Sequence, residues 1–176
     1  MATTEVIKPS TVRISYRQEK GDQDYGTCMW ADFDFDTEKY TLQIMSDCGN
    51  YSHGWVPTPR SESFFHLCRR IEPYYLLDKI AERSQIDDEA TYNAAVRMLE
   101  CYDDLPDNWK EELKDDLSGC YYDQEIADVI YKLVSLYDLY IDGYEIYSCI
   151  EKDYTANAKK IVDVYAKHIV PAIPGD

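Results

Sequence analysis

Residues 30–36 read Trp-Ala-Asp-Phe-Asp-Phe-Asp, WADFDFD. Phe33 and Phe35 alternate with Asp32, Asp34 and Asp36, and a period of two marks a strand with one dry and one wet face. The same period runs on both sides of it. In TVRISYR, residues 11–17, Val12, Ile14 and Tyr16 alternate with Arg13, Ser15 and Arg17. In KYTLQIMS, residues 39–46, Tyr40, Leu42 and Ile44 alternate with Thr41, Gln43 and Met45. The short DTEK connection predicts a hairpin between the second and third runs, and the three together predict a β-meander. Its apolar face should carry Val12, Ile14, Phe33, Phe35, Leu42 and Ile44. The following SDCGNYSHGWVPTPR, with its glycines and with Pro57 and Pro59, predicts a structured loop that leaves the sheet.

Beyond residue 60 the period changes to that of helices. Ser61 is placed to cap SESFFHLCRRI, where Phe64, Leu67, Cys68 and Ile71 share a face, and Pro73 opens a second short helix, EPYYLLDKIAERS. DDEATYNAAVRMLECYDD sets Tyr92, Ala95, Val96 and Leu99 on one side and is stopped by Pro106. DNWKEELKDDLSG spaces Trp109, Leu113 and Leu117 by four, with Gly119 as its C-terminal cap. DQEIADVIYKLVSLYDLYI aligns Ile126, Ile130, Leu133, Leu136, Tyr137 and Tyr140, and residues 144–169 carry a last helical pattern with a break near Thr155. Strands first and helices afterwards predict an α+β fold, in which a small antiparallel meander of about three strands packs against several C-terminal helices. The expected organisation is one compact domain, 1–176, with sublobes 1–85 and 86–176.

Charge is the unusual bulk property. Thirty-four acids oppose 18 bases in 176 residues, a net of −16 with a pI near 4.4. Such a chain repels nucleic acid and anionic membrane and favours a cationic protein partner. From Asp87 to Asp128 the net is −11, and from Asp24 to Asp47 it is −5. Residues 60–83, with Arg60, Arg69, Arg70, Lys79 and Arg83, form a modest basic stretch. Alternate side chains of a strand stand about 6.8 Å apart, close to the phosphate spacing of one nucleic-acid strand. Asp32, Asp34 and Asp36 could therefore imitate a short phosphate backbone. With Asp103, Asp104, Asp107, Glu111, Glu112, Asp115 and Asp116 they are the candidate contact surface for a basic partner.

Catalytic chemistry finds little support. Three aspartates along one strand diverge and supply at most one or two metal ligands, whereas two-metal sites need carboxylates converging from several elements. Cys48 lies five residues before His53, which is compatible with an activated thiol, but nothing else demands one and a packed cysteine in a Gly/Asn-shaped turn is the better account. The six cysteines contain no C-x-x-C pair and are expected to be free thiols. No phosphate loop, dinucleotide fingerprint, nucleophile elbow or zinc-protease motif occurs, so neither a cofactor nor an enzymatic activity is expected. Seventeen tyrosines fit half-buried helix faces, with Tyr121 and Tyr122 as candidate interface anchors. MATTEVIKPS has no apolar core of a signal peptide, and no long apolar run predicts a membrane span.

The words FDFDTEKYTLQIMSDCGNYSHGW, VPTPRSESFFHLCRRI and YYLLDKI make residues 25–80 resemble a family of small proteins carried by phages and mobile elements of Gram-positive bacteria. S-D-C-G-N-Y, the following G-W and S-F-F before Y-L-L-D-K are the distinctive pieces. Some members of that family are anti-CRISPR proteins that inhibit Cas9, and the resemblance brings no functional residue with it. It implies a protein of the bacterial host cytoplasm that binds Cas9, or its guide complex, and blocks target DNA binding or cleavage. A cationic nucleic-acid channel would suit the acidic surface. The alternatives are a generic acidic interaction module of the immunity or antitoxin kind, and a DNA-associated host-takeover protein using residues 60–83.

Overall fold

A computed structural model describes residues 10–22, 25–57, 62–102 and 105–175. In chain order the elements are β1 Thr11–Arg17, β2 Trp30–Asp36, β3 Thr41–Ser46, β4 Gly49–Gly54, α1 Phe64–Arg70 and α2 Pro73–Ile80. They continue with β5 Arg83–Ile86, α3 Asp88–Leu99, α4 Trp109–Leu117, α5 Asp123–Leu136, α6 Gly143–Ser148, β6 Lys152–Tyr154 and α7 Ala156–Val164. A π-helical turn, Tyr165–Ile169, and a 3₁₀ turn, Val170–Ala172, extend α7. The fold is α+β, with an antiparallel N-terminal meander and helices after it. The chain groups into two compact units, Met1–Glu82 with Tyr154–Asp176, and Arg83–Asp153.

In the first unit the sheet order is β1-β2-β3-β4. Phe33 faces Ile14 on one side and Ile44 on the other, and Phe35 faces Val12 and Leu42. Phe33, Phe35, Leu42 and Ile44 are almost fully buried, while Val12 and Ile14 on β1 are half-buried. The buried face meets Phe64 and Cys68 of α1, Leu76 of α2, and Ile161 and Tyr165 from α7 and its extension. Complete burial of each phenylalanine stabilises the fold by about 2–3 kcal/mol. The Tyr165 hydroxyl donates to the Cys68 carbonyl at 2.6 Å, which satisfies the polar end of the largest fully buried ring. Burial raises the titration of that hydroxyl and pushes the Cys68 thiol up to about 12.

A fourth strand stands where a loop is expected. Ser46 pairs with Gly49 across a two-residue turn, Asp47-Cys48, and the register continues through Ile44 opposite Tyr51 to Leu42 opposite His53. Gly49 adopts φ +117°, a conformation that L side chains rarely reach. The strand stops at Gly54, before Pro57. The predicted cap Ser61 lies outside the described residues. Ser63 caps α1, its hydroxyl accepting from the His66 amide at 3.1 Å.

The second unit has its own core, built from Ala95 and Leu99 of α3, Trp109, Leu113 and Leu117 of α4, Ile126, Ile130 and Leu133 of α5, and Ile146 of α6. Its helices start as the sequence spacing predicts, but α5 ends at Leu136. Tyr137 and Tyr140 therefore do not continue its stripe. Asp138 takes a left-handed φ of 51°, and the Leu139 amide closes back onto the Val134 carbonyl at 2.9 Å, a Schellman-type stop. The break near Thr155 is real: Thr155 caps α7, after β6 has paired with β5.

Candidate interaction surfaces and a thiol cluster

The aspartate row of β2 lies on the outer face of the sheet, opposite the outward side chains of β1. The register sets Asp34 across from Arg13 and Asp32 across from Ser15. Arg13 grips Asp34 through two bonds of 2.7 Å, from Nε and Nη2. Arg17 reaches diagonally to Asp32 at 2.8 Å and lies over the Trp30 ring, 5.6 Å from its centroid. The Ser15 hydroxyl and then the Arg17 guanidinium hold the Asp32 carboxyl below its usual range, and Asp34 in turn raises the Arg13 guanidinium. Asp36 turns its carboxylate on the β2–β3 connection, accepting from the amides of Glu38 at 3.1 Å and Lys39 at 3.0 Å. A shallow concavity of about 560 Å³ on this face has Arg13 and Lys39 in its lining beside Asp34 and Asp36. Its charge is mixed rather than purely acidic.

The other candidates belong to the second unit. Asp103 and Asp104 lie outside the described residues. Asp107 precedes α4, and Glu111, Glu112, Asp115 and Asp116 stand exposed on the helix whose other side buries Trp109, Leu113 and Leu117. Asp116 pairs with Lys132 at 3.0 Å, and Glu112 accepts from the Asn108 side-chain amide at 2.7 Å. Among the described residues Asp107, Glu111 and Asp115 have no cationic partner.

Residues 83–153 contain 19 acids and six bases, so this unit carries −13 of the net −16. Some of these acids serve the helices. Asp87 caps α3 through the Ala90 amide at 2.9 Å, with Asp88 and Glu89 in the first turn. Glu125 accepts from the Tyr121 and Tyr122 amides before α5, and Asp142 caps α6 through the Glu145 amide. Negative charge is favourable at each of these N-termini. Tyr121, Tyr122, Tyr140 and Tyr144 of the same unit are 69–93% exposed.

Part of the basic stretch 60–83 is also engaged within the chain. Arg70 pairs with Glu62 at 3.0 Å, Arg69 donates to the Phe65 carbonyl, and Lys79 lies 5.2 Å from the Tyr75 ring centroid.

One cluster was not anticipated. Cys28, in the connection before β2, and Asp47 and Cys48, in the β3–β4 turn, bring a carboxylate oxygen and two sulfurs within 4.8 Å of one another. Asp47 accepts from the Met29 amide at 2.9 Å and the Trp30 amide at 3.4 Å, which ties the turn to the start of β2. The Cys48 thiol donates to the Thr27 carbonyl at 3.2 Å. Burial and then Cys48 push the Cys28 thiol up to about 12. His53, the base considered for Cys48, packs edge-on against Trp55 and pairs in register with Leu42. Burial, then Lys79, lowers its titration. The legible signal for β4, though not for the cluster beside it, was the alternation Tyr51, His53, Trp55, which continues the sheet's period of two past Gly49.

No described helix is long and apolar enough to cross a membrane. No curated protein and no solved structure matches the chain. A model of a phage family, Phage_phiTE_072, matches residues 4–174, nearly the whole length. Membership brings no activity with it. On that match, the chain belongs to this phage family.

Proposed function

We propose that this phage protein works without chemistry of its own, by binding a cationic surface on a host protein that handles nucleic acid. The observation that carries the reading is the charge of the second unit, −13 over 71 residues, with Asp107, Glu111 and Asp115 lacking described cationic partners. Acids already held by arginines lose part of their attraction for a partner, because the new contact must first displace the old one. The β2 row therefore ranks below the α4 acids as a contact surface. Exposed tyrosines in the same unit supply large contact area at small entropic cost, the composition found in protein interfaces. A net negative chain that competes for a cationic channel needs no affinity for DNA itself.

The finer form of the reading is inhibition of Cas9, which rests on the resemblance of residues 25–80 to a family that includes such inhibitors. Guide-loaded Cas9 proteins are accordingly the first partners to test. The purified protein is titrated into the nuclease complex, and target binding and cleavage are scored separately. Loss of both, relieved by the triple variant Asp107→Lys, Glu111→Lys, Asp115→Lys, supports occupation of the DNA channel. Loss of cleavage alone supports an inhibitor that acts after DNA binding and counts against phosphate mimicry. No effect on several Cas9 orthologues overturns the Cas9 reading and leaves the general acidic ligand. That general reading falls if the triple variant keeps every host-protein contact of the wild type.

A further inference from the structure

The geometry points to a site for a thiophilic divalent cation of the zinc class, held by the Cys28 and Cys48 thiolates and the Asp47 carboxylate. Three observations converge on it. First, the ligands come from two segments some twenty residues apart, so their meeting is a product of the sheet rather than of local sequence. Second, the spacing suits one ion. Zinc binds sulfur at about 2.3 Å and carboxylate oxygen at about 2.0–2.2 Å, so two sulfurs around a tetrahedral ion stand roughly 3.8 Å apart. All three ligand atoms already lie within 4.8 Å of one another, and small side-chain rotations close the difference. Third, the carboxylate is held. The Met29 amide donates to one Asp47 oxygen and the Trp30 amide to the other, the kind of support that fixes a ligand's orientation, and a carboxylate with one such bond to each oxygen keeps lone pairs for a metal.

Burial also divides the site in a useful way. Cys28 and Cys48 are buried, whereas Asp47 is exposed, so the carboxylate side gives an ion its entry and a water its place as fourth ligand. Two thiolates with one carboxylate select a borderline-soft cation over calcium or magnesium, which demand all-oxygen shells. Bound there, the ion would join the connection before β2 to the β3–β4 turn and close that end of the sheet.

The test uses the full chain, kept reduced with a non-thiol phosphine, and cobalt(II) as a spectroscopic probe. The expected result is a thiolate-to-cobalt charge-transfer band that saturates at one ion per chain and is displaced by zinc. Zinc should also raise the melting temperature over a chelator-treated sample by about 4 °C or more. Cys28→Ser and Cys48→Ser should each lose the band. Asp47→Asn, which keeps both thiols and an acceptor oxygen for the shorter bond from the Met29 amide, should bind cobalt at least about 10-fold more weakly. Cys120→Ser should match the wild type. A wild-type chain showing neither band nor zinc-dependent melting shift would overturn the site, as would an unchanged cobalt affinity in Asp47→Asn.

Discussion

Asp32 is held between a hydroxyl and a guanidinium, and both prefer its charged form. Its folded-state titration is depressed, so its contribution to stability is present above the unfolded value near pH 4 and is lost as pH falls through the folded value. Asp32→Asn should therefore cost about 0.5 kcal/mol at neutral pH, a figure kept small by solvent screening of a surface pair. That difference from wild type should shrink toward zero in acid. Urea midpoints measured at pH 7 and pH 3 check this, and an unchanged difference would mean that the pairing with Arg17 is not its source. Gly49 makes a sharper case. At φ +117° any side chain is strained, and a Cβ would stand 2.9 Å from the Tyr51 hydroxyl, which is itself bonded to the Cys48 carbonyl. Gly49→Ala should cost about 1–2 kcal/mol. Gly143→Ala meets only the hydroxyl end of exposed Tyr131 without a positive φ, and should cost less than half as much. Thermal melts of the two variants side by side give the comparison.

At the scale of elements, the period-two runs and helical stripes carried most of the fold, and the places where they failed have separate physical causes. The outer face of β1 was visible as Arg13, Ser15 and Arg17, but only the antiparallel register shows that the two arginines pair with Asp34 and Asp32 of β2. A strand read alone cannot say what stands opposite it. β4 escaped because its outward positions are Asn50, Ser52 and Gly54, and its inward ones are Tyr51 and His53, so no aliphatic residue marks it. The thiol cluster was hidden for the same reason of distance: Cys28 and Cys48 have no motif spacing until the sheet folds. α5 ended earlier than its tyrosines suggested because the stop is made by backbone, through Asp138 in the left-handed region and the Leu139 amide. Asp tolerates that conformation less well than Gly. Asp138→Gly should accordingly stabilise the second unit by about 0.5–1 kcal/mol, read as a higher urea midpoint without a change in slope. A loss of stability would mean that the Asp138 side chain matters more than its backbone.

At the scale of the whole molecule, the question is whether the charge of the second unit serves its folding or a partner. Acids at helix N-termini help folding, and Glu111 and Glu112 in the first turn of α4 belong to that group as well as to the candidate surface. Asp115 does not. It lies near the C-terminal end of α4, where the helix dipole disfavours an anion, and four residues from Glu111, a like-charge neighbour. An acid that opposes its own helix makes a good discriminator. Asp115→Lys replaces repulsion from Glu111 by an i,i+4 attraction in the favourable order, and it sets a cation at the helix C-terminus. The fold should gain about 0.5–1 kcal/mol at low ionic strength, with less gained as salt screens both effects. If the acidic face is a contact surface, the same variant should bind the partner more weakly, chiefly through a slower and less salt-sensitive association rate. Stability and binding would then move in opposite directions on one substitution. A variant that gains stability and binds as before would assign Asp115 to solubility alone and shift the contact to Asp107, Glu111 or the exposed tyrosines.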